Sequence, residues 1–354
     1  MASIHEMVKH LLEEAIDQGA SDIHLFPKSN SAIVQYRIGH QLYNKHQISN
    51  ETYERLLIYF KLLAHMDIGE KRKPQNGSYM YQYKNQFIGL RFSTLPAYIQ
   101  ESLVIRILPH HSILPLKHLS IFPSYTRKLI SLLKHSHGLI LLSGPTGSGK
   151  TTTLYSLLGN GDEYISRKII SLEDPIEKET SNMLQIQVNE RAGITYSTGL
   201  KAILRHDPDI IMVGEIRDAQ TAKLAVEASL TGHLVISTIH SRDAKGAIYR
   251  LKDLGVNQVE LEQTLVAIFN QRIVELTCPY CKELQCPSYC YQYNKQKRGT
   301  IFEMLAGNNL SLALKEAKGE YVQLNYSSLD RMIEKGISLG FIKPTEYGRV
   351  ITYV

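Results

Sequence analysis

The sequence predicts an α/β protein. A mainly parallel sheet with helices on both faces follows a small α+β domain and precedes a mostly helical region. Three observations carry this. Short, continuous apolar runs (GLILLS, RKIISLED, DIIMVGE and HLVISTIH) alternate with helix-like segments, the pattern of strands buried on both faces. A glycine-rich stretch, GPTGSGKT at 144–151, joins the first of these strands to a helix. The chain before them is β-rich and punctuated by Gly, Asn and Pro.

The elements follow in order. Ile4, Met7, Val8, Leu11, Leu12, Ala15 and Ile16 share one helical face, and Gly19 ends that helix. IVQYRI, 33–38, reads as a strand. A second amphipathic helix covers 51–66, with Leu56, Leu57, Phe60 and Leu63. SYMYQY, QFIGLRFS and ESLVIRIL are further strands, closing a first domain over 1–108. Pro109, Pro115 and Pro123 mark 109–124 as a linker. In the α/β part, helices are expected around 198–206 and 218–229. From about residue 243 onward the chain reads as mostly helical.

Composition narrows the class. The 354 residues are 43% hydrophobic, which suits a packed globular chain. Net charge is +6, from 40 basic and 34 acidic residues, too mild to argue for nucleic acid or an acidic membrane. The basic groups Lys71–Lys73 and Lys295–Arg298 are short, and no basic stripe is interleaved with aromatics. No apolar run reaches the about 18 residues of a membrane-spanning helix. Glu13, Glu14 and Asp17 interrupt the start, so no signal peptide is expected and the chain is expected in the cytoplasm. All four cysteines, Cys278, Cys281, Cys286 and Cys290, fall in one stretch, LTCPYCKELQCPSYC. In a reducing compartment that cluster points to tetrahedral Zn²⁺ before disulfides, with four reduced thiols as the plain alternative.

The loop carries the clearest chemistry. Its glycines, Gly144, Gly147 and Gly149, let backbone N–H groups turn toward phosphates, and the helix N-terminus adds a favourable dipole. Pro145, Thr146, Ser148 and Thr152 complete the nucleotide-binding stretch. Lys150 is expected on the β- and γ-phosphates and Thr151 on Mg²⁺. Acids at the ends of neighbouring strands would serve metal and water. Glu173, with Asp174 beside it, and Glu215 stand there, the plain alternative being surface acids that cap loops. His233 and His240 bracket one strand, and only His240 lies at its carboxyl end.

Four stretches together resemble one family: GPTGSGKTTTLYS, ISLEDPIE, AILRHDPDIIMVGEIRD and AVEASLTGHLVISTIHSRDA. They correspond to the Walker A motif, Asp box, Walker B motif and His box of the secretion ATPases that power type II secretion and type IV pilus assembly. GASDIHLFP and RFSTLPAYIQESLVIRIL are similar to that family too, so the resemblance spans residues 19 to about 305.

The resemblance implies a PAS-like N-terminal domain and a RecA-like ATPase domain over 125–275. A cysteine segment (276–299) and a helical region (300–354) follow. It implies ATP as substrate. Glu173 would polarise the attacking water and Glu215 would hold Mg²⁺ through water. His233 and His240 would link nucleotide state to domain position, and Arg91 and Arg106 would reach the phosphates from the N-terminal domain. It further implies a homohexameric ring on the cytoplasmic membrane face. Such a ring would drive a membrane platform protein, with no direct nucleic-acid partner.

Three features depart from the family pattern. Pro74-Gln75-Asn76-Gly77-Ser78 lacks the usual acid and arginine. A further N-terminal docking domain is expected to be absent. The cysteines are compressed, C-x₂-C then C-x₃-C. The last two traits resemble the branch that assembles the Gram-positive competence pilus for DNA uptake. Alternatives are a DNA translocase, a retraction or conjugation-type secretion ATPase, and an ATP-binding regulator without turnover.

Overall fold

Alternation of buried and outward side chains, clearest along 32–38 and 102–108, builds the first of two sheets. The computed structural model describes residues 3–38, 41–84, 86–108, 115–160, 166–281 and 298–351. It divides into two units, Met1–Ser112 and Ile113–Val354.

The N-terminal unit holds β1 (Asp22–Pro27), β2 (Ala32–Ile38), β3 (Gln41–Ile48), β4 (Gln75–Tyr83), β5 (Gln86–Leu95) and β6 (Ser102–Leu108). Their order is β3-β2-β1-β6-β5-β4, and every pairing is antiparallel. Helices α1 (Ile4–Asp17) and α2 (Asn50–Leu63) share its core. There Leu12, Leu56 and Phe60 pack with Ile23, Tyr36, Phe92 and Ile105. Ser3 starts α1 through a capping box with Glu6, and Gly19, at φ +67°, follows its end. Strands β1 and β3 lie where hydropathy indicates none. The sequence of β3, QLYNKHQI, is polar because it is an edge strand, so its pairing with β2 defines it rather than burial.

The second unit is organised on β7 (Gly138–Ser143), β8 (Ile169–Glu173), β9 (Leu184–Gln187), β10 (Ile210–Val213), β11 (Leu234–Ile239), β12 (Leu265–Glu275) and β13 (Arg298–Ala306). The order is β13-β12-β7-β11-β10-β8-β9, parallel except that β13 runs antiparallel to β12. Leu139 and Leu141 of β7 enter one core while Ile140 and Leu142 enter another, so both faces are covered. The covering helices include α3 (Pro123–Leu132), α4 (Lys150–Gly159), α5 (Tyr196–Ile203), α6 (Ala219–Leu230), α7 (Ala244–Asp253) and α8 (Gln258–Thr264). Three more follow β13, at Asn308–Ala317, Leu329–Ser338 and Glu346–Ile351.

Two expectations need correction. The chain beyond 243 is not mostly helical, because β12 and β13 extend the sheet and the 300–354 region begins inside β13. Buried Asn270 and Gln271 interrupt the apolar pattern of β12 and hide it as a strand. Of the linker expected over 109–124, residues 109–114 lie outside the described residues, and 115–124 form a short turn and the start of α3, with Leu116, Leu119 and Phe122 buried. Of the cysteines, Cys278 is buried and Cys281 half-buried, while Cys286 and Cys290 lie outside the described residues. No helix among the described residues is long and apolar enough to cross a membrane.

Candidate nucleotide-binding and catalytic site

Strand register assembles the site. Ser143 at the end of β7 pairs with Ile239 on one side and Asn270 on the other. Gly144 therefore lies level with His240 and Gln271. Val213 pairs with Leu172, which brings Gly214 level with Glu173 and Glu215 one residue beyond it. Carboxyl ends of parallel strands thus converge where this architecture binds ligands.

The loop between β7 and α4 needs its glycines. Gly144 has φ +142°, and a Cβ there would meet the Gln271 carbonyl oxygen at 2.7 Å. Gly149, at φ +84°, caps α4. Gln271 ties β12 to the loop: its Nε2 donates to the Ser148 carbonyl at 2.6 Å and its Oε1 accepts from Thr153 Oγ1 at 3.0 Å. Lys150 Nζ donates to the carbonyl oxygens of Gly144 (2.7 Å) and Pro145 (3.0 Å). Burial lowers its pKa to about 8, with Glu215 opposing and Arg272 adding to the shift. Thr151, beside it, is half-buried.

Glu215 is held from two sides. His240 Nε2 lies 2.9 Å from its Oε1, while Arg217 Nε donates to its Oε2 at 2.8 Å. Both oxygens hold a partner. Glu173 is 2% exposed and more enclosed. It accepts from the Tyr155 hydroxyl on α4, from Ser171 Oγ at 2.6 Å and from Gln185 Nε2 at 3.2 Å. Burial first, then the charge of Glu173, raises the Tyr155 pKa, so that hydroxyl remains a donor.

Two cavities flank the loop. One of about 560 Å³ is lined by Gly144, Pro145, His240, Arg242, Arg272 and Arg349. Another of about 550 Å³ runs past the first turn of α4, between Gly149, Thr152, Thr153, His118, Leu119 and Thr300. The first carries three guanidinium groups and suits phosphate oxygens; the second carries one, from Arg298, and suits a nucleoside.

The structure thus brings the loop, Glu173, Glu215 and His240 together. His233 stands at the opposite end of β11, where its Nδ1 lies 3.1 Å from the Ala228 carbonyl oxygen. Arg91 and Arg106 are register partners on β5 and β6, both exposed on one face of the N-terminal sheet. Arg106 Nε donates to Asp22 Oδ1 at 2.9 Å. Sequence reasoning missed Tyr155, Arg217, Gln271 and Arg272. Only Tyr155 left a trace, one helical turn beyond Thr151 on the same face of α4.

Comparison with known proteins gives the family. The profile of the type II/IV secretion system protein family matches residues 1–344. The chain is 50% identical over 349 residues to the competence protein ComGA of Bacillus subtilis (strain 168), covering 99% of this chain and 98% of that one. It is 41% identical over 283 residues to the type II secretion system protein E of Klebsiella pneumoniae, covering 80% and 57%. The fold is similar to that of the pilus retraction motor PilT with bound ADP, at a TM-score of 0.72, 24% identity and 96% coverage of both chains. The chain belongs to the type II/IV secretion system protein family.

Proposed function

We propose that this protein is the ATPase motor that drives assembly of a competence pilus or pseudopilus for DNA uptake. The observation that carries the reading is the Glu215–His240 contact beside a complete phosphate loop, in a chain 50% identical to a competence protein over nearly its whole length. ATP would bind with its phosphates on the loop Gly144–Thr151. Lys150 would exchange the loop carbonyls for phosphate oxygens. Mg²⁺ would be held by Thr151 and, through water, by Glu215, and it would neutralise charge on the phosphates. Glu173 would act on the attacking water, and His240 would report nucleotide state through Glu215. Arg91 and Arg106 are the proposed guanidinium supply from the N-terminal unit.

The working form would be a homohexamer at the inner face of the cell membrane, pushing on a platform protein. A Zn²⁺ site on Cys278, Cys281, Cys286 and Cys290 belongs to the same reading. Cys278 is buried just beyond β12 and Cys281 lies on the turn that follows, a spacing that suits the first pair of a thiolate set.

The test is steady-state ATP hydrolysis by the purified protein, alone, with DNA, and with the cytoplasmic part of a platform protein. Stimulation by the platform fragment alone is expected. Stimulation by DNA alone would make the chain a translocase.

A further inference from the structure

Three side chains of the N-terminal unit converge on one point of its surface. His10 and Glu14 lie four residues apart on α1 and so project from one face of the helix. His46 reaches them from β3. Its Nε2 is 2.7 Å from Glu14 Oε2, and His10 Nδ1 is 3.9 Å from the same oxygen. All three ligand atoms fall within 4.8 Å of one another.

These separations are close to those of a chelate. A tetrahedral cation bound at about 2.0–2.1 Å by nitrogen and oxygen holds its donor atoms about 3.3 Å apart. The observed 2.7 and 3.9 Å lie on either side of that value. A movement of about 0.6 Å at each pair brings both to it, within the reach of side-chain rotation.

The surroundings support the carboxylate as a ligand. The fully buried Tyr36 hydroxyl donates to Glu14 Oε2 at 3.1 Å, with the Leu11 carbonyl oxygen 3.0 Å away. Such outer hydrogen bonds orient metal ligands. The neighbouring cation does not compete, because Lys45 Nζ lies over the rings of Tyr36 and Tyr43, at 5.8 and 5.9 Å. Each histidine pairs with Glu14 Oε2, His46 at 2.7 Å and His10 at 3.9 Å from four residues away on α1. Two imidazoles thus face one carboxylate oxygen, with their rings edge-on at 6.3 Å between centroids, where a shared cation would bind all three. The His10 side chain is 72% exposed, so an ion has a path in.

We propose that His10, Glu14 and His46 form a binding site for a first-row transition cation of the Zn²⁺ class, clamping α1 to the edge strand β3. Two imidazoles and one carboxylate select such a cation over Mg²⁺ or Ca²⁺, which take all-oxygen sets. A fourth position stays open to water or an outside donor. The proposal does not depend on the ATPase reading.

The experiment is calorimetric titration of the full chain with Zn²⁺ and with Co²⁺, alongside the His10→Ala/His46→Ala double variant, all cysteines being kept in both. The double variant is expected to bind one equivalent fewer. The Co²⁺ equivalent it loses should lack thiolate charge-transfer absorption, which separates it from any cysteine site. His10→Ala alone, at an exposed position, should fold normally and bind that equivalent at least tenfold more weakly. Equal stoichiometry and affinity in wild type and His10→Ala would overturn the proposal.

Discussion

The Tyr155 hydroxyl, on the helix that follows the phosphate loop, donates to the Glu173 carboxylate at the end of β8. The acid proposed to act on water is thereby tied to the element that carries Lys150. Movement of α4 on nucleotide binding would be felt directly at Glu173. Tyr155→Phe removes one of three donors and keeps the ring packing. The expected result is nucleotide affinity near wild type and kcat lowered about tenfold, equivalent to about 1.4 kcal/mol of barrier. Single-turnover and steady-state kinetics would check it. An unchanged kcat would reduce the contact to a stabilising role.

Lys150 gives a pH dependence. Burial lowers its pKa to about 8, and bound phosphates would restore the charged form. ADP affinity should therefore fall as pH rises through that value, becoming about tenfold weaker at pH 9 than at pH 7. Binding near pH 8 should take up protons, seen as a dependence of the calorimetric enthalpy on buffer ionisation. A flat affinity over this range would contradict the assignment.

Glu303 gives a second dependence, of stability rather than binding. Burial raises its pKa to about 7, with Asp243 adding to the shift, while Tyr326 and the Ala244 amide donate to it at 2.8 and 3.3 Å. Between the ordinary value of 4.5 and about 7, the folded chain holds a proton here that the unfolded chain has lost. Stability should therefore decline as pH rises across that window. Denaturant titrations at pH 5 and pH 7.5 should show a smaller decline for Glu303→Gln than for wild type.

The two histidines should separate. His240 touches Glu215, whereas His233 bonds to its own helix end at the far side of the sheet. His240→Ala should lower turnover by tenfold or more, with ADP binding retained. His233→Ala should leave turnover within about twofold and cost about 1 kcal/mol of stability, the loss of one hydrogen bond. Equal catalytic losses would show coupling along β11 that the contacts do not reveal.

The cysteine segment has a compositional test. One Zn²⁺ per chain is expected beyond the ion at His10, Glu14 and His46, and Cys278→Ser/Cys281→Ser should remove it. Elemental analysis of the wild type and that variant would decide.

The phosphate loop was legible because it is local. Gly144 to Thr151 are contiguous, and only glycine tolerates φ +142° against the Gln271 carbonyl, so chemistry and conformation are written in the same eight letters. The parallel strands β7, β8, β10 and β11 were legible because strands buried on both faces read as unbroken apolar runs. By itself the sequence determined the ATPase class, the parallel sheet and the carboxylates at strand ends. It did not determine β12, whose buried Asn270 and Gln271 serve the loop at the expense of the hydropathy pattern. Nor did it determine the partners of those carboxylates. Tyr155 and Glu173 are 18 residues apart, and Glu215 and His240 are 25 apart. Strand register and helix packing set such contacts, so only the tertiary structure decided which side chain meets which.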